Sequence, residues 1–261
     1  MILTDTHSHI YDTAFDDDRE AVFERALQAG VTRILLPAID SRSHDALFDL
    51  CRRHPQHCIP MMGLHPTSVN EIDDYRTELD RVERLLHEPP AGRFCAVGEV
   101  GLDFYWSTER KTEQIEAFRR QIELALELRL PLAIHTRNAW DEMLATLGDY
   151  AGQGLRGVMH AFSGTEAIYR QVKRCGDFLF GIGGVVTYKR SETAALLPCM
   201  SPDDLVLETD SPYLTPVPFR GKRNESAYVR FVCEKVAEIY GLAPDDIAER
   251  TTRNACRMFG S

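Results

Sequence analysis

Eight short apolar runs alternate along this chain with stretches of helical periodicity, and histidine or carboxylate residues gather at the ends of those runs. The runs are Met1–Ile10, Val31–Ile39, Cys58–His65, Phe94–Gly101, Leu130–His135, Leu155–His160, Phe178–Val186 and Leu205–Asp210. Several, such as VTRILLPAI from Val31, are almost continuously apolar, as parallel strands covered on both faces must be. Eight strand–helix repeats leave few architectures open. A length of 261 residues is the natural size of one (β/α)8 barrel of the TIM type. The reading is therefore α/β, a single barrel domain over 1–261, with active residues at the C-terminal ends of the strands.

The helical stretches carry their own punctuation. Asp17-Asp18 precedes a face of Val22, Phe23, Ala26 and Leu27, and Gly30 stands where a helix closes. Further helices are expected over 41–54, 75–87 and 109–129, the last with Ile115, Phe118, Ile122 and Ala125 at helical spacing, and from Glu225 and Asp245.

His7 and His9, at the end of the first strand, point to one face of it. Imidazole is the commonest protein ligand for zinc and similar metals. Glu99 lies in the apolar run FCAVGEVG between two glycines that let backbone or ligand come close, and a buried carboxylate there needs a cation. His135, His160 and Asp210 end the fifth, sixth and eighth strands. For any one of these histidines a structural role is the ordinary reading; six such residues converging on one end of one barrel make a metal centre the better one. His44, His54, His57 and His87, on helices or in loops, are read as solvated.

Six ligands of mixed nitrogen and oxygen type exceed one tetrahedral zinc and suit two divalent ions, whether zinc, magnesium or manganese, sharing Glu99. Two ions about 3.5–4 Å apart activate a water and neutralise attacking and leaving oxygens. Asp210, as ligand and proton acceptor, and Glu99, as bridge, are the expected catalytic residues. No protein nucleophile is offered: Phe162-Ser163-Gly164 lacks the first glycine of a nucleophile elbow, no phosphate-binding loop occurs, and Gly181-Ile182-Gly183-Gly184 does not complete a dinucleotide fingerprint.

Thirty basic against 40 acidic residues give a net charge of −10, which excludes a broad basic surface for nucleic acid. A polyanionic substrate would have to be held by metals and a few local groups, here His65, Arg137, Lys222 and Arg223. Seven cysteines without a Cys-x-x-Cys pair read as reduced thiols, and the polar first dozen residues and absence of a long apolar run point to a cytoplasmic protein with no membrane contact; a monomer is the expected state.

The phrases Asp5-Thr-His7-Ser-His9, Gly63-Leu-His65-Pro66, Gly98-Glu99-Val-Gly101-Leu-Asp103, Ile134-His135-Thr-Arg137-Asn-Ala139, His160-Ala-Phe-Ser163-Gly164, Leu207-Glu-Thr-Asp210-Ser-Pro212-Tyr-Leu214 and Gly221-Lys222-Arg223-Asn224-Glu225 together resemble the TatD-related metal-dependent deoxyribonucleases of the amidohydrolase superfamily. The resemblance spans nearly the whole chain. It implies a TIM barrel, two divalent metals on His7, His9, Glu99, His135, His160 and Asp210, and hydrolysis of phosphodiesters at DNA ends, in the 3′-to-5′ direction. Two positions depart from the pattern: Ser226 stands where proline is usual after Asn-Glu, which bears on entry to the next helix, and Ala161 where cysteine is common. Competing readings keep the metals but act on a neutral amide or ester, or keep the barrel as a scaffold with a vestigial site. A complete ligand set argues against the scaffold.

Overall fold

The computed structural model describes residues 1–90 and 92–260. Strands β1 (Leu3–Asp5), β2 (Val31–Leu36) and β3 (Cys58–Pro60) pair in parallel, as do β4 (Val97–Asp103), β5 (Leu132–Arg137), β6 (Arg156–Met159), β7 (Asp177–Ile182) and β8 (Leu205–Leu207). Two narrow seams join these sheets into a closed barrel. At one, Met62 bridges to Val97 and the Gly98 amide donates to the Met62 carbonyl at 3.0 Å. At the other, Ser8 bridges to Ser211, and the Thr6 amide donates to the Leu207 carbonyl at 3.0 Å.

Helices α1 (Arg19–Gln28), α2 (Ser41–Arg53), α3 (Pro66–Glu71), α4 (Tyr75–His87), α5 (Lys111–Leu128), α6 (Trp140–Asp149), α7 (Glu166–Cys175), α8 (Glu192–Leu196), α9 (Val229–Tyr240) and α10 (Pro244–Phe259) fill the connections. Among the described residues none is long and apolar enough to cross a membrane. The core has two layers. Outward-facing strand residues such as Ile34, Leu36, Ile134 and Phe180 meet the helices. Inward-facing Leu35, Met61, Ala133, Val158, Leu179 and Val206 fill the barrel, floored by Ala255, Met258 and Phe259 of α10.

Most ladders are shorter than the apolar runs, although β4 and β5 run on past Gly101 and His135 to Asp103 and Arg137. β1, β6 and β8 stop before the residues expected to end them; after β6 and β8 the chain turns to aim side chains, with Ala161 at φ 44° and Asp210 at φ 57°, left-handed values outside the strand region. The run expected to continue β7 to Val186 breaks into a 3-10 turn over Gly184–Thr187, where a Cβ on Gly184 would lie 2.0 Å from the Leu214 carbonyl oxygen. The glycines flanking Glu99 admit the neighbouring strand and not a ligand; at Gly101, with φ 135°, a Cβ would fall 2.0 Å from the His135 carbonyl oxygen. Ser226 does not cap the following helix: its hydroxyl donates to Ser8 Oγ at 3.1 Å, and Ser8 Oγ lies 2.7 Å from Ser211 Oγ, stitching the β1/β8 seam.

Of the four histidines expected to be solvated, three are not. His44 is buried, because it shares a stripe with Leu47, Phe48 and Cys51 on the inner face of α2. His54 and His57 are half-buried against the Phe23 ring, with centroids 3.9 and 5.8 Å away, while His87 is exposed as expected.

Candidate metal centre

Period-two alternation carries the inward face of each strand from an apolar layer to a polar one. Ala133 is followed by His135, and Val158 by His160, each two residues further along the same side. β4 achieves the same by a slip in register: Gly98 pairs with Ala133 and Val100 with Ile134, so Glu99 drops out of the β5 ladder and points inward.

Glu99 is buried at the centre and uses its two oxygens differently. Oε2 lies 3.1 Å from His7 Nε2 and 3.7 Å from His9 Nε2; Oε1 lies 3.1 Å from His135 Nδ1 and 3.4 Å from His65 Nε2. Asp210 Oδ1 completes the first side, 3.4 Å from His9 Nε2 and 3.7 Å from His160 Nε2. Three groups of donor atoms each fit within 4.8 Å: His7, His9 and Glu99; His7, His160 and Asp210; and His65, Glu99 and His135. All six residues expected as ligands from the sequence therefore converge.

The histidines divide: burial lowers His7 and His65 toward the neutral form, whereas His135 and His160 are held toward the charged one. Burial tends to raise the Glu99 carboxyl, but the surrounding His7, His65 and His135 hold it well below the usual carboxylate range. Burial opposes charge on His135 too, yet Asp103 and Glu99 raise it to about 9; likewise His160, beside Glu208 and Asp210, rises to about 10. These protons occupy the role a divalent cation would take, since a metal displaces them from its ligands.

The surrounding groups orient the rings for that purpose. The Tyr11 hydroxyl donates to the Pro37 carbonyl at 2.5 Å, so it accepts from His9 Nδ1 at 2.9 Å, which leaves the Nε2 lone pair facing Glu99 and Asp210. Glu208 Oε1 sits 3.0 Å from His160 Nδ1 and accepts the Ala161 amide at 2.6 Å. Asp103 Oδ2 lies 2.9 Å from His135 Nε2. Tyr11, Asp103 and Glu208 carry no role in the sequence reading, although Asp103 ends a strand and Glu208 is a charge in an apolar run, the signal that singled out Glu99. His65 differs from the other rings: its Nδ1 accepts the Thr67 amide at 3.2 Å, so the neutral ring carries its proton on Nε2 and is a donor toward Glu99.

A cleft of roughly 860 Å³ opens over this centre, lined by His9, His65, Glu99, His135, His160 and Asp210 below and by Trp106, Arg137, Tyr213 and Leu214 at the rim. Of the expected cations only Arg137 reaches it. Arg223 is turned away, its guanidinium donating to both Asp18 oxygens at 2.8 Å and lying 4.5 Å from the Phe15 ring centroid, and Lys222 is exposed outside the cleft near Phe219. Both assignments to the substrate site are corrected: Asp18 of the β1–α1 connection and Glu225 claim Arg223, and Lys222 does not line the cleft. The same pairing leaves Asp18 without a side-chain bond to the start of α1, where a cap was expected.

A family model described as TatD related DNase matches residues 4–260. The chain belongs to the TatD-related DNase family. It is 36% identical over 260 residues to the uncharacterized metal-dependent hydrolase YabD of Bacillus subtilis, covering 99% of both chains. To the 3′-5′ ssDNA/RNA exonuclease TatD of Erwinia tasmaniensis it is 32% identical, over 95% of both. The crystal structure of the TatD homolog YJJV from Escherichia coli superimposes with a TM-score of 0.90 at 28% identity, covering 99% of this chain and 98% of that one. The chain is accordingly an enzyme, a metal-dependent hydrolase acting on ester bonds, on a TIM-type (β/α)8 barrel.

Proposed function

We propose that this enzyme hydrolyses phosphodiester bonds at DNA ends, as a 3′-to-5′ exodeoxyribonuclease, with two divalent cations held on His7, His9, Glu99, His135, His160 and Asp210. The observation that carries the reading is the division of labour at Glu99, one oxygen toward His7 and His9 and the other toward His135. That division supports Glu99 as the carboxylate the two cations would share. When bound, such cations supply an activated water and charge neutralisation at the reacting phosphate.

The residues of the chain do the rest. Asp210, at the cleft surface of the cluster, takes the proton of the attacking water. His65 donates from Nε2 toward bound oxygen or Glu99. Arg137 offers its guanidinium edge to a phosphate, and among the described residues it makes no ion pair that would compete. The relative named as a 3′-5′ ssDNA/RNA exonuclease supports polarity and substrate class. The remaining proposals are a single domain, a monomer and a cytoplasmic setting that keeps the seven free thiols reduced.

One observation favours a neutral amide or ester instead: Lys222 and Arg223 lie away from the cleft, which leaves it little positive charge. Metal analysis of the purified enzyme, joined to assays on 3′- and 5′-labelled oligonucleotides and on uncharged esters, separates the two. Stepwise loss of nucleotides from the 3′ end is expected; turnover of the esters alone overturns the nuclease reading.

A further inference from the structure

The loop after β4 holds a feature that the metal centre does not require. Trp106 is 70% exposed and Tyr105 51% exposed, at the rim of an otherwise well-packed barrel. Their rings meet edge to face, with centroids 4.8 Å apart at 86°. The Arg137 guanidinium lies over the Tyr105 ring at 3.6 Å and 5.5 Å from the Trp106 ring. Two large aromatic side chains held toward water are costly unless something covers them.

The platform is tied to the centre. The Phe104 amide donates to the Arg137 carbonyl at 2.9 Å, extending the β4–β5 pairing beyond the strand. The Tyr105 amide donates to Asp103 Oδ1 at 3.0 Å, and the other oxygen of Asp103 holds His135. Trp106 therefore stands three residues from a carboxylate that touches the metal-type cluster, a reach of at most about 10 Å of chain. Across the cleft, Tyr213, 56% exposed, follows β8, the strand diametrically opposite β4 in an eight-stranded barrel.

We infer that Trp106, backed by Tyr105 and Arg137, is a stacking platform for the unpaired nucleobase adjoining the scissile phosphate of a single-stranded nucleic acid. The inference rests on the phosphodiesterase reading and adds to it the part of the substrate recognised. In a protein of net charge −10, affinity from the general field is absent, and base–aromatic stacking, which accepts any base, replaces it. A base inside a duplex has both faces covered, so the platform selects frayed or single-stranded ends.

The test compares oligonucleotides carrying a normal or an abasic residue at the terminal or penultimate position, on wild type, Trp106→Ala and Trp106→Phe. For wild type, removal of the stacked base should lower kcat/KM roughly tenfold or more. In Trp106→Ala the ratio between normal and abasic substrates should collapse toward one, with Trp106→Phe between. An independent reading comes from fluorescence, since the chain has only 2 tryptophans: oligonucleotide should quench wild type, and abasic oligonucleotide should quench it less. Equal normal-to-abasic ratios in wild type and Trp106→Ala, on an enzyme that cleaves oligonucleotides, overturn the platform alone. A wild type that cleaves no oligonucleotide overturns the phosphodiesterase reading and the platform with it.

Discussion

The carboxylate of Asp5, fully buried at the end of β1, accepts both the amide of Thr209 at 2.9 Å and its hydroxyl at 2.6 Å. It also accepts the His7 amide at 3.3 Å. One side chain thus ties the segment bearing His7 and His9 to the segment bearing Asp210, across the seam where the barrel closes. Asp5→Ala leaves these donors buried without a partner, and a loss of about 3 kcal/mol is expected. The urea midpoint should fall with little change in slope. Thr209→Val, which removes a single hydroxyl, should lose about 1 kcal/mol. Equal effects of the two would show that the seam does not depend on Asp5.

Metal content should follow the two faces of Glu99. Glu99→Ala is expected to reduce cation binding on both sides, whereas His7→Ala and His135→Ala each affect mainly one. Elemental analysis checks this directly, and Glu99→Ala protein with wild-type stoichiometry would remove the shared carboxylate. Because a cation binds the folded chain, chelation should also lower Tm, and by less in Glu99→Ala.

Asp210→Asn removes a charge and the proton acceptor while keeping the shape. Turnover should fall by about 10² or more with the fold intact, measured on protein whose metal content and circular dichroism match wild type. Undiminished turnover would place the proton elsewhere.

Arg137→Gln should raise KM for DNA and flatten its dependence on salt. Arg223→Ala should instead report on folding: its partner Asp18 is partly solvated, so the loss expected is below about 1 kcal/mol, with the KM for DNA retained. A salt series on both variants distinguishes phosphate contact from structural pairing. If Arg223→Ala changes the salt slope and Arg137→Gln does not, their roles are reversed.

Asp40, on the wall of the same cleft, gives a pH dependence of its own. Burial tends to raise its carboxyl, but Arg42, the Ser68 hydroxyl and the Arg42 amide hold it below the ordinary value of 3.8. A depressed carboxyl stabilises the fold at neutral pH and loses that contribution as pH falls below 3.8. Thermal melts should show Asp40→Asn less stable than wild type at pH 7, with the gap narrowing toward pH 3. A gap that stays constant would mean that the hydrogen bonds Asp40 accepts as N-cap of α2, and not its charge, account for the difference.

The residues legible in the sequence were those whose chemistry clashes with their surroundings. Glu99 in an apolar strand and histidines ending three strands demand an explanation wherever the chain folds, and the barrel period supplies one. Arg223 was misread because a position in a loop does not say where a long side chain points; an acid on another connection decided it. His44 was legible and overlooked, since its spacing to Leu47, Phe48 and Cys51 is helical. The 3.0 Å approach of Glu208 to His160 was not legible, because it depends on Gly181 leaving room: a Cβ there would stand 2.1 Å from Glu208 Oε2.

The floor of the barrel comes from α10, whose Ala255, Met258 and Phe259 close the ring begun by Leu35. On the ribosome that order has a consequence. All eight strands precede α10 in the chain, so the apolar lumen stays open at its base until that helix has emerged and docked. A chain stalled before residue 255 would carry the cluster around Glu99 at one end and an unsealed hydrophobic well at the other. Docking of α10 and drying of the barrel interior are therefore one event.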